Sequence, residues 1–354
     1  MAGTKVTVGV VGGSGYSGGE LLRLLVGHPQ AELAWVTSRG EKQLESIHRN
    51  LLGSGLRFIR EAEATRCDVV FLCLPSRESM DRAGDYLRQG SKVIDLGSDF
   101  RLKDAALFER VYRAKHVSWD LVAEAPYGAT ELHREAIRSA RLVANPGCFA
   151  YATILGLAPL VREGWIDLER IIVDALSGSS GAGAEPTVPT HQSEIGNSTF
   201  PYNAVGHRHT PEMEQELSAV ARRNVTINFT PYYAPFSRGI LASCHGFLNR
   251  KVSRADVVSL YREAYRSEHF VRVLDMEKDS KVSWQYLPYP SVASVAGSNY
   301  VQIGADVDEQ RGRVVIFSAL DNLGKGAAGS AIQNMNCMLG LPEETGLAGF
   351  GLHP

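Results

Sequence analysis

The sequence has no surplus of either charge: 37 Lys and Arg stand against 39 Asp and Glu, a formal net charge of -2. That balance gives no electrostatic case for nucleic acid or an anionic membrane as partner. There is no Cys-x-x-Cys pair, and the five cysteines, at 67, 73, 148, 244 and 337, are odd in number and scattered. They read as reduced thiols of a cytoplasmic protein, not as a disulfide framework. A secretory leader is not expected either, because the apolar run after Lys5 breaks at Gly12 with no small-residue cleavage site. Leu142 to Val161 carries no charge and has roughly the 20 residues a bilayer span needs. Asn145-Pro146-Gly147 and Pro159 interrupt it, so a strand, a turn and a buried helix are expected there. No internal repeat or low-complexity segment is present.

What the chain has in plenty is glycine, 35 residues, and it clusters, which points to tight backbone turns around a ligand. Its 354 residues are 44% hydrophobic and 21% charged, ordinary values for a globular chain. At about 150 residues per domain, two domains are expected, each with a core that needs no staple.

Lys5 to Val11, Ala31 to Ser38, Cys67 to Leu74 and Lys92 to Leu96 read as apolar strands separated by helical stretches. Strands of that kind alternating with helices predict a doubly wound parallel sheet covered on both faces. After Cys148 the strand-like stretches become more polar: Arg170 to Leu176, Val225 to Thr230, Ile240 to Leu248, Tyr300 to Val307 and Gly312 to Leu320. With helices over Pro211 to Arg223 and Arg254 to Arg266, this predicts a mixed or antiparallel sheet with helices on one side. Gly324 to Leu341 reads as a long last helix.

The first strand runs into Gly12-Gly13-Ser14-Gly15-Tyr16-Ser17-Gly18, and a helical pattern follows. In that setting the first glycine makes the turn and the second lets the backbone approach a pyrophosphate. The third lets helix and strand pack closely. Helix N-terminal amides would face the phosphates. An NAD site places Asp or Glu about 20 residues on. Here Thr37-Ser38-Arg39 holds no acid. A hydroxyl and a guanidinium suit a 2′-phosphate, so NADP(H) is expected.

Asn145-Pro146-Gly147-Cys148 follows a strand at Arg141 to Ala144, so Cys148 is expected at a helix N-terminus, where free amides and the dipole favour a thiolate. The other cysteines lie in apolar stretches and read as core residues. A thiolate nucleophile needs a base or acid. Gly206-His207-Arg208-His209-Thr210-Pro211-Glu212 offers one, with Thr210 expected as helix cap, Pro211 as first helical residue and His209 just before them. Zinc held by Cys148, His207 and His209 is the alternative, but no carboxylate or second cysteine stands at ligand spacing, so no metal is expected. Ser177-Gly178-Ser179-Ser180-Gly181-Ala182-Gly183 would offer amides and hydroxyls to an anion. Arg101, Arg208 and Arg238 flank these turns and suit carboxylate or phosphate. A cysteine–histidine hydrolase and a nucleotide-sensing protein without chemistry are the rival readings. A second domain with an exposed sheet is expected to pair as a homodimer or homotetramer.

These motifs together resemble the N-acetyl-gamma-glutamyl-phosphate reductase family, the arginine-pathway relatives of aspartate-semialdehyde dehydrogenase. The matching stretches are Gly12 to Leu21, Leu96 to Leu102, Asn145 to Cys148, Ser177 to Gly183, Gly206 to Leu217, Arg238 to Ile240 and Asp321 to Asn336, in order along nearly the whole chain. The resemblance implies an α/β Rossmann domain over 1–147 and 324–354, with the last helix returning to it. A glyceraldehyde-3-phosphate-dehydrogenase-like α+β domain over 148–323 would hold substrate and form the oligomer. It implies Cys148 as nucleophile and His209 as acid/base in a thioester mechanism. Cofactor contacts are implied for Gly12, Ser14, Gly15, Tyr16, Ser17, Gly18, Ser38, Arg39, Pro75, Ser76, Ser177, Gly178, Asn322 and Lys325. Substrate contacts are implied for Arg101, Asn145, Ser180, Gly181, His207, Arg208 and Arg238. The chain departs from many members at Ala184, where Arg or Lys is common. Ala184-Glu185 is similar to relatives that act on a carrier-protein-bound aminoadipyl or glutamyl phosphate, but those tend to lack Asn-Pro-Gly before the cysteine. A free small-molecule acyl phosphate is therefore expected as substrate.

Overall fold

The computed structural model describes residues 5–40, 43–276 and 288–353. The chain forms two compact units, one of residues 1–146 with 327–348 and one of 147–326 with 349–354.

The first unit is built on six parallel strands: β1 (Val6–Val11), β2 (Ala31–Thr37), β3 (Phe58–Ile59), β4 (Val69–Leu72), β5 (Lys92–Asp95) and β6 (Leu142–Ala144). Their order is β3-β2-β1-β4-β5-β6. The chain reverses direction of travel across the sheet between β1 and β4, the switch point beside which such sheets bind ligands at the carboxyl ends of their strands. β4 reads Val-Val-Phe-Leu and is buried at every position, as a strand covered on both faces must be. The helix Gly329–Met338 is buried along its whole length in this unit.

Asn145, at the end of β6, is tied to that helix from both sides of its amide. Its Nδ2 donates to the Ala327 carbonyl at 3.0 Å, while Oδ1 accepts from Ser330 Oγ and Asn334 Nδ2 at 3.2 and 3.0 Å. Asn334 also donates to Gly128 and accepts from Thr130 Oγ1. Where one long helix was expected over 324–341, the chain instead makes a wide π-turn at Gly324–Ala328 before the α-helix begins. The buried Asp321 carboxylate accepts the amides of Leu323 and Gly324, at 2.8 and 2.9 Å, and so opens that first turn.

The second unit carries seven strands: β7 (Ile171–Ser177), β8 (Phe200–Pro201), β9 (Ile227–Tyr233), β10 (Ile240–Phe247), β11 (Val271–Val273), β12 (Val301–Asp308) and β13 (Arg313–Leu320). The order is β11-β12-β13-β10-β7-β9-β8, with β7/β9 and β11/β12 parallel and the other pairs antiparallel. The two-residue strands β3 and β8 and the short β11 escaped the sequence reading because so few residues show no period. Burial alternates strictly along β10, so one sheet face is covered.

Its cover is the helix Cys148–Arg162, buried from Phe149 to Val161 and packed on β10 and β13. Pro159 stands inside that helix without the amide that would bond the Leu155 carbonyl. Tyr265 Oη donates to that carbonyl at 2.6 Å, which satisfies the group the proline leaves open. Among the described residues no helix is long and apolar enough to cross a membrane.

Candidate active site

The glycine turn of the first unit uses each glycine differently. Gly12 has φ +79°, and a Cβ there would meet the Cys73 carbonyl oxygen at 2.6 Å. A Cβ on Gly18 would meet Gly13 Cα at 2.7 Å, so the helix Tyr16–Val26 packs against the turn as only glycine allows. Gly15, in contrast, caps that helix with nothing within 4 Å of its Cβ position, an open cradle beside amides that have no helical carbonyl before them. Ser14 and Ser17 are partly exposed and Tyr16 is 46% exposed around the same opening. The arrangement fits a pyrophosphate. Thr37 serves the turn: its carbonyl accepts from Gly13 N at 2.9 Å and its hydroxyl from Gly12 N at 3.4 Å. Ser38 and Arg39 remain at the surface. Ser76, after Pro75, accepts from Ser98 Oγ at 2.7 Å.

Arg101 is 6% exposed and donates to the Leu96 carbonyl at 3.0 Å, inside the loop that leaves β5. Burial first, and then the nearby Asp99 carboxylate, raise Asp95 beneath that loop to about 7. Asn145 lies at 1% exposure with its amide engaged as described. Both side chains, for which the sequence implied substrate contacts, are buried and bonded within the first unit.

In the second unit Cys148 is the first residue of its helix, capped by Gly147. Cys148 is partly exposed as a residue, while Cys67, Cys244 and Cys337 are buried. Burial pushes the thiols of Cys67 up to about 11 and of Cys73 and Cys244 up to about 12, which leaves them inert at neutral pH.

The helix Thr210–Ala221 packs against the cysteine helix, and His209, 5% exposed, occupies its cap position. Thr210 is thus the first helical residue and not the cap, because His209 has already turned to φ −84°, ψ −13°. Phe149, next to the cysteine, sets its ring 6.1 Å from that of His209 and 5.7 Å from that of His207.

The two histidines differ. His207 Nδ1 accepts the His209 amide at 3.1 Å, and burial, with Arg208 second, lowers its pKa to about 4. It is therefore neutral at working pH and has no imidazolium proton to give. Glu212, fully buried, connects His209 to the cysteine turn. Its Oε2 accepts the Gly147 amide at 3.1 Å, and its Oε1 stands 4.0 Å from His209 Nε2. Sequence reading placed Glu212 in the first helical turn but saw no link to Gly147, which is 65 residues away.

Tyr202 and Tyr233 are stacked at 4.1 Å and 10°, in an arrangement that also passed unseen. Burial drives Tyr202 well above the usual phenol range, with smaller contributions from Tyr233 and Cys148. Both tyrosines therefore remain neutral beside the sulfur. Arg208 is exposed and electrostatically near the pair. The signal for the pair is the β8–β9 pairing of Phe200 with Tyr233, which no local pattern reveals.

The Ser177–Gly183 loop is not the amide nest expected. Gly178, Ser179 and Ser180 donate to the carbonyls of Gly239, Phe236 and Ser237 at 2.9, 3.0 and 3.1 Å, and Gly181 donates to Gly178. Asn322 bonds Ser180 Oγ at 3.0 Å and the Gly239 amide at 2.6 Å, and Ser177 is 1% exposed. Arg238 holds both oxygens of buried Asp321, at 3.0 and 3.1 Å. Lys325 is fully buried, its Nζ 4.9 Å from the centroid of Tyr151 and 5.5 Å from that of Phe270. Asn322, Arg238 and Lys325 are thus engaged within the second unit, whereas Arg208 is exposed. No group of three His, Cys, Asp or Glu that could hold a metal occurs among the described residues.

Residues 7–140 match the family model for the semialdehyde dehydrogenase NAD binding domain, and 148–322 the model for the semialdehyde dehydrogenase dimerisation domain. The chain belongs to the semialdehyde dehydrogenase family. Its fold is that of aspartate semialdehyde dehydrogenase II from Vibrio cholerae, with TM-score 0.71 at 17% identity over 95% of this chain and 99% of that one. The Candida albicans aspartate semialdehyde dehydrogenase structure with NADP has TM-score 0.62 at 16% identity, over 95% and 99%.

Sequence relatives named N-acetyl-gamma-glutamyl-phosphate reductase come from Pelotomaculum thermopropionicum, 43% identical over 99% of both chains, and Methanocaldococcus jannaschii, 43% identical over 98% and 99%. A third, from Symbiobacterium thermophilum, is 45% identical over 98% of both. Within the family, this chain falls among the N-acetyl-gamma-glutamyl-phosphate reductases.

Proposed function

We propose that the chain reduces N-acetyl-gamma-glutamyl phosphate to N-acetylglutamate 5-semialdehyde with NADPH, releasing phosphate, in arginine biosynthesis. The observation that carries the chemistry is Glu212, whose two oxygens meet the turn before Cys148 and face His209. Cys148 acts as nucleophile, its sulfur anion stabilised by the helix N-terminus. Its C–S bond forms on the acyl carbon as the C–O bond to phosphate breaks, leaving a thioester. When bound, the reduced nicotinamide supplies the hydride that converts the thioester carbon to a thiohemiacetal. His209 gives a proton to the thiohemiacetal oxygen. It recovers that proton as the C–S bond breaks and the aldehyde leaves. Glu212 orients His209, and Arg208 attracts the anionic substrate. The names of the relatives favour the free acetylated substrate over a carrier-bound one.

The test is spectrophotometric. The purified chain should oxidise NADPH on addition of N-acetyl-gamma-glutamyl phosphate, with one phosphate released per hydride. Hydrolysis of the acyl phosphate without NADPH oxidation would favour the hydrolase reading instead.

The second unit supports a homodimer formed through its outer sheet face. On that face Ile172, Leu176, Leu241, Val315, Phe317 and Phe247 alternate with the covered positions, and Ile172 is 41% exposed. Leu241 lies on the central strand of that face, between Leu176 and Ala319. Leu241→Asp should weaken association by about a hundredfold or more, the cost of an unpaired charge in an interface. Sedimentation of a wild-type chain that stays monomeric at micromolar concentration would reject the dimer.

A further inference from the structure

We propose that Glu78 tempers the preference of this site for a phosphorylated cofactor by competing with a 2′-phosphate for Arg39. The inference rests on the NADP(H) reading above and adds an antagonist to it. Arg39 follows the second strand where an acid would mark an NAD site, and its guanidinium is ion-paired with the carboxylate of Glu78. The two side chains differ in freedom. Arg39 is 71% exposed, so its long side chain can turn to another anion.

Glu78 is fixed. The residue before it, Arg77, holds φ +76°, a left-handed conformation that a non-glycine residue keeps only when its surroundings enforce it. The enforcing group is the fully buried Asp99. One of its oxygens accepts the Arg77 amide at 2.7 Å and the other the Met80 amide at 3.0 Å. Glu78 thus stands between two residues whose amides bond to the same buried carboxylate. Its own carbonyl accepts from Asp81, which continues the turn.

A mobile cation paired with a fixed acid is a competition. A 2′-phosphate carries close to two negative charges and takes charge-assisted bonds from Arg39 only after Glu78 releases it. The same fixed carboxylate then stands near the phosphate and repels it. A cofactor with a bare 2′-hydroxyl has no claim on Arg39 and leaves the pair intact. Glu78 therefore lowers the affinity for the phosphorylated cofactor alone. Because both partners reach solvent, the effect is modest and shrinks with added salt.

The experiment measures binding without turnover, by calorimetry with 2′-phospho-ADP-ribose and ADP-ribose as probes. Wild type is compared with Glu78→Gln, Arg39→Gln and the double variant at low and high ionic strength. Glu78→Gln should tighten the 2′-phosphorylated probe about 2–5-fold at low salt, the scale of an exposed ion pair, and leave ADP-ribose unchanged. Arg39→Gln should weaken only the phosphorylated probe, by about tenfold or more. In the double variant the gain from removing Glu78 should be smaller than in the single one.

If Arg39→Gln leaves the phosphorylated probe unaffected, the NADP(H) reading at Arg39 fails. If Arg39→Gln weakens it but Glu78→Gln does not tighten it, that reading stands and the competition is overturned. Weaker ADP-ribose binding in Glu78→Gln would also overturn it, because the acid would then be an acceptor for the ribose hydroxyl.

Discussion

Cys148→Ser should lower kcat by roughly 10⁴–10⁶, the range found when a covalent nucleophile is removed. The alcohol that replaces the thiol stays protonated at neutral pH, and the helix N-terminus that steadies a sulfur anion has no alkoxide to act on. Nothing else in the chain takes over. Burial holds the thiols of Cys67, Cys73 and Cys244 at about 11, 12 and 12 and also raises that of Cys337, so no second sulfur is ready at neutral pH. The variant should keep its fold, since the substitution changes one atom at a partly exposed helix start. Steady-state turnover and mass spectrometry of a trapped acyl-enzyme check this together. Turnover within tenfold of wild type, or acylation at another residue, would remove the covalent proposal.

His209→Asn should slow turnover by about 10²–10⁴ with little change in apparent substrate affinity, the usual worth of a positioned acid or base. The neighbouring His207 cannot substitute. Its pKa, lowered to about 4 mainly by burial, keeps it neutral, and its Nδ1 is engaged by the backbone of residue 209. Asparagine retains polarity and approximate size but carries no transferable proton. A loss confined to KM would reassign His209 to binding. His207 adds a stability effect of definite sign. Between about pH 6.5 and 4 the unfolded chain takes up a proton at this position that the folded chain refuses, so stability falls as the pH is lowered through that window.

The sequence allowed some of this to be read directly, and the reason is locality. Gly12, Gly15 and Gly18 lie within one turn, and their geometric demands can be inferred from spacing alone. The cysteine turn was legible because Pro146-Gly147 must end a strand, and His209 because Pro211 belongs at a helix start. Most misreadings concern partners far away in the chain. Arg238 looked available until Asp321, 83 residues on, proved to hold it. The serine–glycine loop looked like an anion nest, yet its amides bond to residues 236–239 at the end of the neighbouring strand. Lys325 was implied as a cofactor contact, and the fold sets its ammonium beside the rings of Tyr151 and Phe270. Composition and spacing report which groups a segment owns. They do not report which of those groups the fold has already engaged.

Asp321 illustrates the evolutionary side of such engagement. Its two oxygens receive both arms of Arg238 together with the amides of Gly297, Leu323 and Gly324. An asparagine would keep one acceptor and aim an NH₂ at donors that need none. A glutamate would place its oxygens one carbon too far along. Mutational drift at this codon therefore has nowhere neutral to go, and a lineage can alter the loops it anchors only by changes that keep this one anion in place.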